Sequence, residues 1–343
     1  MSAVDPRDPH AVAAAVQGWA SDRFGTVASM VGAPTSVAGG FDSFIHLVEL
    51  RGEGLPAQWR APLVVRVVPT ADRAARAAGE AAVQGWCADQ GYPAPRVLAV
   101  LAPGELLDLP VLVMERVPGV TMLEALKAKP WRARSFVDRL VELQLRLHEL
   151  PTSGWPGSAS ADSLADIRLG LTRRAAVELA DPALSRALER ADALVASGAT
   201  SGGDLVVCHG DFHPLNVMVD GDAAAVIDWT DAGLGPREAD VARTVLLLEV
   251  AAVAADGRLE RAALNVAGPR LAHRYRRGYE RGARLDEGRM ASWDALHALH
   301  GWAQIEMLHA GGFEAESSSA GNESRVPLEL AHWLRARAES SLG

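Results

Sequence analysis

Cysteine is nearly absent. Cys87 and Cys208 are the two in 343 residues, too few for a disulfide framework and without metal-ligand spacing. This excludes a disulfide-stapled miniature fold and a cysteine-based zinc site, and it fits a reducing, cytoplasmic setting. Positive charge is the minority, with 34 Lys and Arg against 43 Asp and Glu and a formal charge of -9. No overall positive field exists to hold a phosphate backbone, which excludes nucleic acid as the main partner. Long apolar runs are missing as well. The most apolar window, TVLLLEVAAVAA from Thr244 to Ala255, carries Glu249 and is shorter than the roughly 20 residues of a bilayer span. It reads as a buried helix, so no membrane is expected as a partner. The first 25 residues put acids before an alanine-rich run and lack the basic start and longer apolar core of a signal peptide. No internal repeat is present.

What remains is ordinary globular composition, 49% hydrophobic and 22% charged, in a chain long enough for two domains or two lobes. A helix is expected from about Ala11 to Ser21. TSVAGGFDSFIHLVEL then breaks at Gly39 and Gly40 and alternates from Phe44, giving a strand, a glycine turn and a second strand. APLVVRVVP is a short β-branched strand with Arg66 inside it. A helix capped near Asp72 and ending by Gly91 and Pro93 follows, with Glu80 near its middle. RVLAVLA and PVLVMERVPG supply two more strands of a small antiparallel sheet, and at Pro118-Gly119 the pattern turns helical. The fold class is α+β. Residues 153–163 and 310–324 read as loops from their Gly, Ser and Pro content.

One stretch of the helical part stands apart, VVCHGDFHPLNVMVDGDAAAVIDW at 206–229. An apolar run delivers His209, Gly210 and Asp211 to a loop that Pro214 keeps from becoming a regular helix. Asp220-Gly221-Asp222 between two apolar runs is a strong hairpin signal. Pairing those strands is expected to bring Asn216, at the start of one, beside Asp228, at the end of the other. An amide oxygen and carboxylates gathered there form a hard-oxygen site suited to magnesium and nucleotide phosphates, with one carboxylate left free to accept a proton. His209 and His213 are four apart, which would suit zinc on a helix, but Gly210 and Pro214 argue against one.

His-Gly-Asp-x4-Asn followed by Ile-Asp-Trp resembles the kinase order of catalytic Asp, Asn ligand and metal-binding Asp. With Gly at its second position and Trp after the second Asp, the stretch looks like the aminoglycoside phosphotransferase family, relatives of choline kinase with a protein-kinase-like two-lobed fold. The continuation GLGPREADVA is similar too. The resemblance implies a nucleotide-binding lobe over 1–115, a hinge over 116–120 and a helical lobe over 121–343 carrying the catalytic loop and acceptor pocket. It implies Asp211 as catalytic base, Asn216 and Asp228 as Mg2+ ligands, and His209 and Asp240 as structural supports. ATP or GTP would be the phosphate donor. Gly39, Gly40 and Ser43 would form the turn over its phosphates, Arg66 would take the place of the family's strand lysine and pair with Glu80, and the backbone of Glu115 and Val117 would meet adenine. The arginine keeps the charge and alters the reach.

No motif identifies the acceptor. Asp231, Glu238, Trp302 and Glu306 are the candidates for its pocket, acids for an amino-sugar cation and an indole for a ring. The reading is a Mg-dependent O-phosphotransferase acting on a hydroxyl of a small molecule, an aminoglycoside- or macrolide-type antibiotic or related natural product. A metabolic sugar, amino-sugar or choline-like kinase, or a catalytically weak binding homologue, is the alternative.

Overall fold

The computed structural model describes residues 4–37, 43–157, 162–250, 258–311 and 326–342. The Gly39-Gly40 turn, the end of the apolar window after Val250 and most of the 310–324 segment lie outside the described residues. The chain divides into two compact units, one of Met1–Pro118 with Ala225–Thr230, the other of Gly119–Ala224, Asp231–Phe313 and Glu323–Gly343.

The first unit begins with α1 (Pro9–Phe24), two residues earlier than the apolar pattern suggests because Asp8 caps it and Pro9 occupies its first turn. Gly25 ends it in the left-handed region. β1 (Ser29–Met30) pairs with β4 (Leu50–Arg51). The main sheet has five antiparallel strands in the order β2 (Thr35–Val37), β3 (Phe44–Val48), β5 (Leu63–Val67), β7 (Val111–Glu115), β6 (Val97–Leu101). Strand alternation decides its two faces. Leu63, Val65, Val67, Val111 and Val113 point into a core shared with Val12, Val16 and Ala20 of α1. Val64, Leu112 and Met114 point the other way, against Ala77 and Ala81 of α2 (Ala74–Asp89). Arg66 shares that second parity, which sends its side chain toward α2. Asp72 is not the cap of α2. A 3-10 turn over Ala71–Arg73 comes first, and the helix starts at Ala74 without a side-chain cap.

The second unit opens with β8 (Val120–Thr121) and α3 (Met122–Ala128), where Thr121 and Glu124 form a reciprocal capping box. Then come α4 (Ala133–His148), α5 (Asp162–Leu179) and α6 (Pro182–Ala196). β9 (Leu205–Cys208) pairs with β12 (Gly233–Pro236), a strand unexpected from GLGP. Gly235 has a packing reason, since a Cβ there would lie 2.3 Å from Leu164 of α5. β10 (Val217–Asp220) and β11 (Ala223–Val226) flank the turn at Gly221, and β10 also pairs with β8. The chain passes into the first unit within β11 and returns after Thr230. α7 (Arg237–Val250), α8 (Arg258–Glu280), α9 (Glu287–His309) and α10 (Leu328–Leu342) complete the unit. α9 is its core element, with Trp293, Leu296, Leu299 and Trp302 essentially inaccessible. No described helix is long and apolar enough to cross a membrane.

Candidate active site

The first unit gathers one set of polar groups around Arg66. Its Nε donates to Ser43 Oγ at 2.8 Å, one Nη pairs with Glu80, and the other reaches Thr230 Oγ1 at 3.4 Å. Glu80 is buried. Burial pushes its carboxyl up, assisted by Asp228 and opposed by Arg66, and the net direction is upward. Thr230 donates to Asp228 Oδ1 at 2.8 Å. Asp228 is exposed and holds a left-handed backbone at φ 65°, a region that aspartate enters more readily than most residues and that marks functional turns. Below it, Trp229 is buried against Tyr92, with ring centroids 5.6 Å apart, and its indole N–H donates to Val226 O at 3.1 Å. Glu115 ends β7, and its N–H is spent on Arg96 O at 3.0 Å. Among the described residues no backbone carbonyl meets the Val117 N–H.

The second unit holds the His-Gly-Asp loop. Gly210 sits at φ 80°, and a Cβ there would lie 2.2 Å from the Asp231 carbonyl oxygen, so only glycine fits. Asp240, in the first turn of α7, fixes the loop from beneath. It accepts from the N–H groups of His209 at 3.0 Å and Gly210 at 2.7 Å, and from Gln144 Nε2 at 3.0 Å and His148 Nε2 at 3.1 Å. Burial raises its pKa, but His148, His209 and the loop amides outweigh that and bring it down to about 2. His209 is wholly buried and accepts from the Asp211 N–H at 3.3 Å. Thr244 donates to Phe212 O at 2.7 Å.

Asp211 itself is reached from three sides. Arg243 of α7 meets Oδ1 with Nε at 3.0 Å and Nη2 at 2.9 Å. His213 Nε2 lies 3.1 Å from Oδ2, and because His213 Nδ1 accepts from the Leu215 N–H at 3.2 Å, Nε2 carries the proton and donates. Asn216 Nδ2 donates to the Asp211 carbonyl at 2.9 Å and to Oδ2 at 3.3 Å. Burial pushes the carboxyl up, yet Arg243 and His213 overcome it and hold it well below the usual range. The Asn216 oxygen is left out of those bonds, so an amide oxygen remains for a hard cation. Asp228 supplies a carboxylate in the other unit. Among the described residues no group of three or more His, Cys, Asp or Glu is placed to hold a metal by itself.

The acceptor-pocket candidates fare differently. Trp302 is fully buried in α9 under Arg335, whose guanidinium carbon is 5.1 Å from the ring centroid, so it is core and offers no open face. Glu238 is also buried, spent on Arg289 at 3.2 Å and the Asp286 N–H at 2.8 Å. Neither is an acceptor-facing group. Asp231 pairs at 2.8 Å with Arg168, a buried arginine of α5 that also donates to the Gly210 carbonyl. Glu306 is half-buried on α9. Sequence reasoning passed over Arg168 and Arg243 and weighed His213 only as a zinc ligand. Arg243 had a signal, since it follows Asp240 by three and so shares its side of α7. Arg168 had none.

Residues 49–298 match the phosphotransferase enzyme family, APH. The chain belongs to this family and is a small-molecule kinase that phosphorylates a hydroxyl. It is 32% identical over 219 residues to an aminoglycoside 3′-phosphotransferase of Streptomyces fradiae, covering 61% of this chain and 78% of that one. A second aminoglycoside 3′-phosphotransferase, from Streptomyces ribosidificus, is 32% identical over 161 residues, 45% of this chain and 58% of the relative. The fold is similar to that of a thermostable mutant of aminoglycoside phosphotransferase APH(4)-Ia, bearing an asparagine-to-alanine substitution, in a ternary complex with AMP-PNP and hygromycin B. There the TM-score is 0.62 at 18% identity, covering 96% of this chain and 98% of the neighbour. A choline/ethanolamine kinase family protein from Mesorhizobium loti gives 0.54 at 17% identity, covering 91% and 88%. The protein-kinase-like α+β fold expected from the sequence is therefore the fold observed.

Proposed function

We propose that the chain moves the γ-phosphate of ATP to a hydroxyl of an aminoglycoside-type antibiotic, with Asp211 as the base. The observation that carries this is the Asp211 carboxylate, held on a loop that the buried Asp240 fixes. The aminoglycoside names of the two Streptomyces relatives support the acceptor class, and AMP-PNP in the structural neighbour supports ATP as donor. GTP as donor and a macrolide as acceptor stay within the same chemistry.

In the proposed reaction the acceptor oxygen attacks the γ-phosphorus in line, the bond to the ADP oxygen breaks, and the hydroxyl proton passes to Asp211. A carboxylate held well below the usual range is ionised at neutral pH and weakly basic. It takes the proton late, as suits a loose transition state in which the oxygen loses its proton only after bonding is advanced. Asn216 and Asp228 would each offer an oxygen to magnesium, whose charge would offset that of the phosphates. Arg66, steadied by Ser43, Glu80 and Thr230, would hold the α- and β-phosphates. Val117 N–H and the Glu115 carbonyl would meet adenine. Gly39 and Gly40 would serve the donor phosphates, and Asp231 and Glu306 remain the candidates facing the acceptor. An enzyme that consumes ATP belongs in the cytoplasm.

The test is magnesium-dependent ADP release with ATP across aminoglycosides, macrolides, amino sugars and choline-like alcohols. Turnover with an aminoglycoside, lost in Asp211→Asn, is the expected result. Full turnover in that variant would remove Asp211 from the mechanism, and nucleotide binding with no turnover on any hydroxyl would leave a binding homologue.

A further inference from the structure

A carboxylate has about four acceptor positions, two on each oxygen. On Asp211 three are taken by hydrogen bonds, and the Arg243 guanidinium covers the fourth. Oδ1 accepts from Arg243 Nε at 3.0 Å and lies at ion-pair distance, 2.9 Å, from Arg243 Nη2. Oδ2 holds His213 at 3.1 Å and Asn216 at 3.3 Å. An acceptor hydroxyl must therefore displace one of these partners before it can donate to the base.

The two oxygens are not equivalent in what releasing them would cost. Both contacts on Oδ1 come from one guanidinium, and they are the shorter pair. Donor and acceptor are both ionised here, whereas the Asn216 amide on Oδ2 is a neutral donor. The side chain of Arg243 is 11% exposed against 28% for Asp211, so its charge is partly withdrawn from water and has this carboxylate as its anion. The helix that carries Arg243 also carries Asp240 one turn earlier and Thr244 next to it, which hold the loop at Gly210 and Phe212. Arg243 thus grips the base from the same rigid element that fixes the loop backbone. On Oδ2 the bonds are longer. Asn216 keeps its bond to the Asp211 carbonyl at 2.9 Å when it leaves the carboxylate, and His213 is partly open to solvent.

We infer that Arg243 is a positioning residue for phosphoryl transfer, pinning Oδ1 of Asp211 so that Oδ2 alone exchanges His213 or Asn216 for the acceptor hydroxyl. This rests on Asp211 being the base. The hydroxyl proton arrives on Oδ2, while the Arg243 bonds keep the carboxylate from rotating away from the attacking oxygen. Without Arg243 the carboxylate turns about its χ2 bond and either oxygen competes for the hydroxyl.

The experiment compares wild type with Arg243→Gln, Arg243→Lys and Asp211→Asn. It uses ATP with magnesium and kanamycin A, an aminoglycoside with a free 3′-hydroxyl, together with direct titration of a fluorescent ATP analogue. A misplaced catalytic group costs about a hundredfold, so kcat in Arg243→Gln should fall by about that factor. Nucleotide affinity and acceptor KM should stay within about threefold, and Arg243→Lys, which restores the charge but supplies one bond, should recover part of the loss. In a further variant, Arg243→Ala, added guanidinium ion should restore turnover, and it should leave wild type unchanged. A folded Arg243→Gln with wild-type kcat would overturn the inference while leaving the base reading intact. An active Asp211→Asn would instead overturn the base reading and this inference with it. If Arg243→Gln does not fold, Arg243→Lys carries the test, and wild-type kcat there sinks the two-point grip.

Discussion

Replacing Asp240 by asparagine isolates what holds the His-Gly-Asp loop. The native carboxylate is wholly buried and accepts from four donors, the N–H groups of His209 and Gly210 and the side chains of Gln144 and His148. An amide oxygen can accept two of these, and the amide nitrogen then faces N–H groups it cannot satisfy. Each stranded buried donor costs about 1–3 kcal/mol, so two give about 2–6 kcal/mol. A second route gives the low end. Asparagine resembles protonated aspartate, and a carboxyl lowered from 3.8 to about 2 prefers its ionised form in the native state by about 2 kcal/mol. The expected loss is therefore about 2–4 kcal/mol, read from urea unfolding curves at pH 7. The sign with pH follows from the folded pKa lying below the unfolded one. The carboxylate's contribution is complete above the unfolded value of 3.8 and fades as pH falls toward 2. The gap between wild type and Asp240→Asn should accordingly close on acidification. A gap under about 1 kcal/mol at pH 7, or one that stays constant down to the folded pKa, would refute the reasoning, since either means that fewer of the four donors depend on charge.

Three further outcomes follow from the same geometry. Gly210→Ala, whose Cβ would sit 2.2 Å from the Asp231 carbonyl, should lower kcat by about a hundredfold with nucleotide affinity kept, as measured by steady-state ADP release and nucleotide titration. Trp302→Ala should cost about 3–5 kcal/mol of unfolding free energy, and the protein that folds should keep its acceptor KM; a changed KM with normal stability would put the indole back at the acceptor. Glu80→Gln removes the charged partner of Arg66, and losing one charge-assisted bond of about 1.5 kcal/mol should raise the ATP Kd about tenfold; a Kd within twofold of wild type would show that Arg66 is held without it.

The strands and the loop were readable because their signals are local. β5 declares itself by alternation, and Arg66 falls on the α2 face by parity alone. Asp220-Gly221-Asp222 marks its own turn, and His-Gly-Asp-x4-Asn fixes the order of chemical groups. What escaped depends on distant partners. Arg243 and Arg168 meet Asp211 and Asp231 across 32 and 63 residues; Arg243 is flagged only by sharing the side of α7 that carries Asp240, and nothing near Arg168 names its partner. GLGP becomes a strand only because β9 lies ready to pair with it, which overrides its poor intrinsic preference. Trp302 and Glu238 were misplaced for the opposite reason. Their types suit a ligand, but the packing of α9 and the reach of Arg289 claim them first, and burial is a property of the tertiary arrangement.

The six residues Ala225–Thr230 belong to the first unit though they follow its Pro118 end by more than a hundred positions. They give it the Val226 bond to Pro93 O at 2.7 Å, the Trp229 packing on Tyr92 and the Thr230 contact of Arg66. During synthesis at about 5–20 residues per second, the amino-terminal segment therefore waits on the order of ten seconds for these contacts. A fragment cut at Pro118 would emerge with Tyr92 uncovered and Arg66 short of a partner. Anyone dividing this gene into separately expressed halves would have to graft that hexapeptide back onto the first, for example by circular permutation, to restore these contacts.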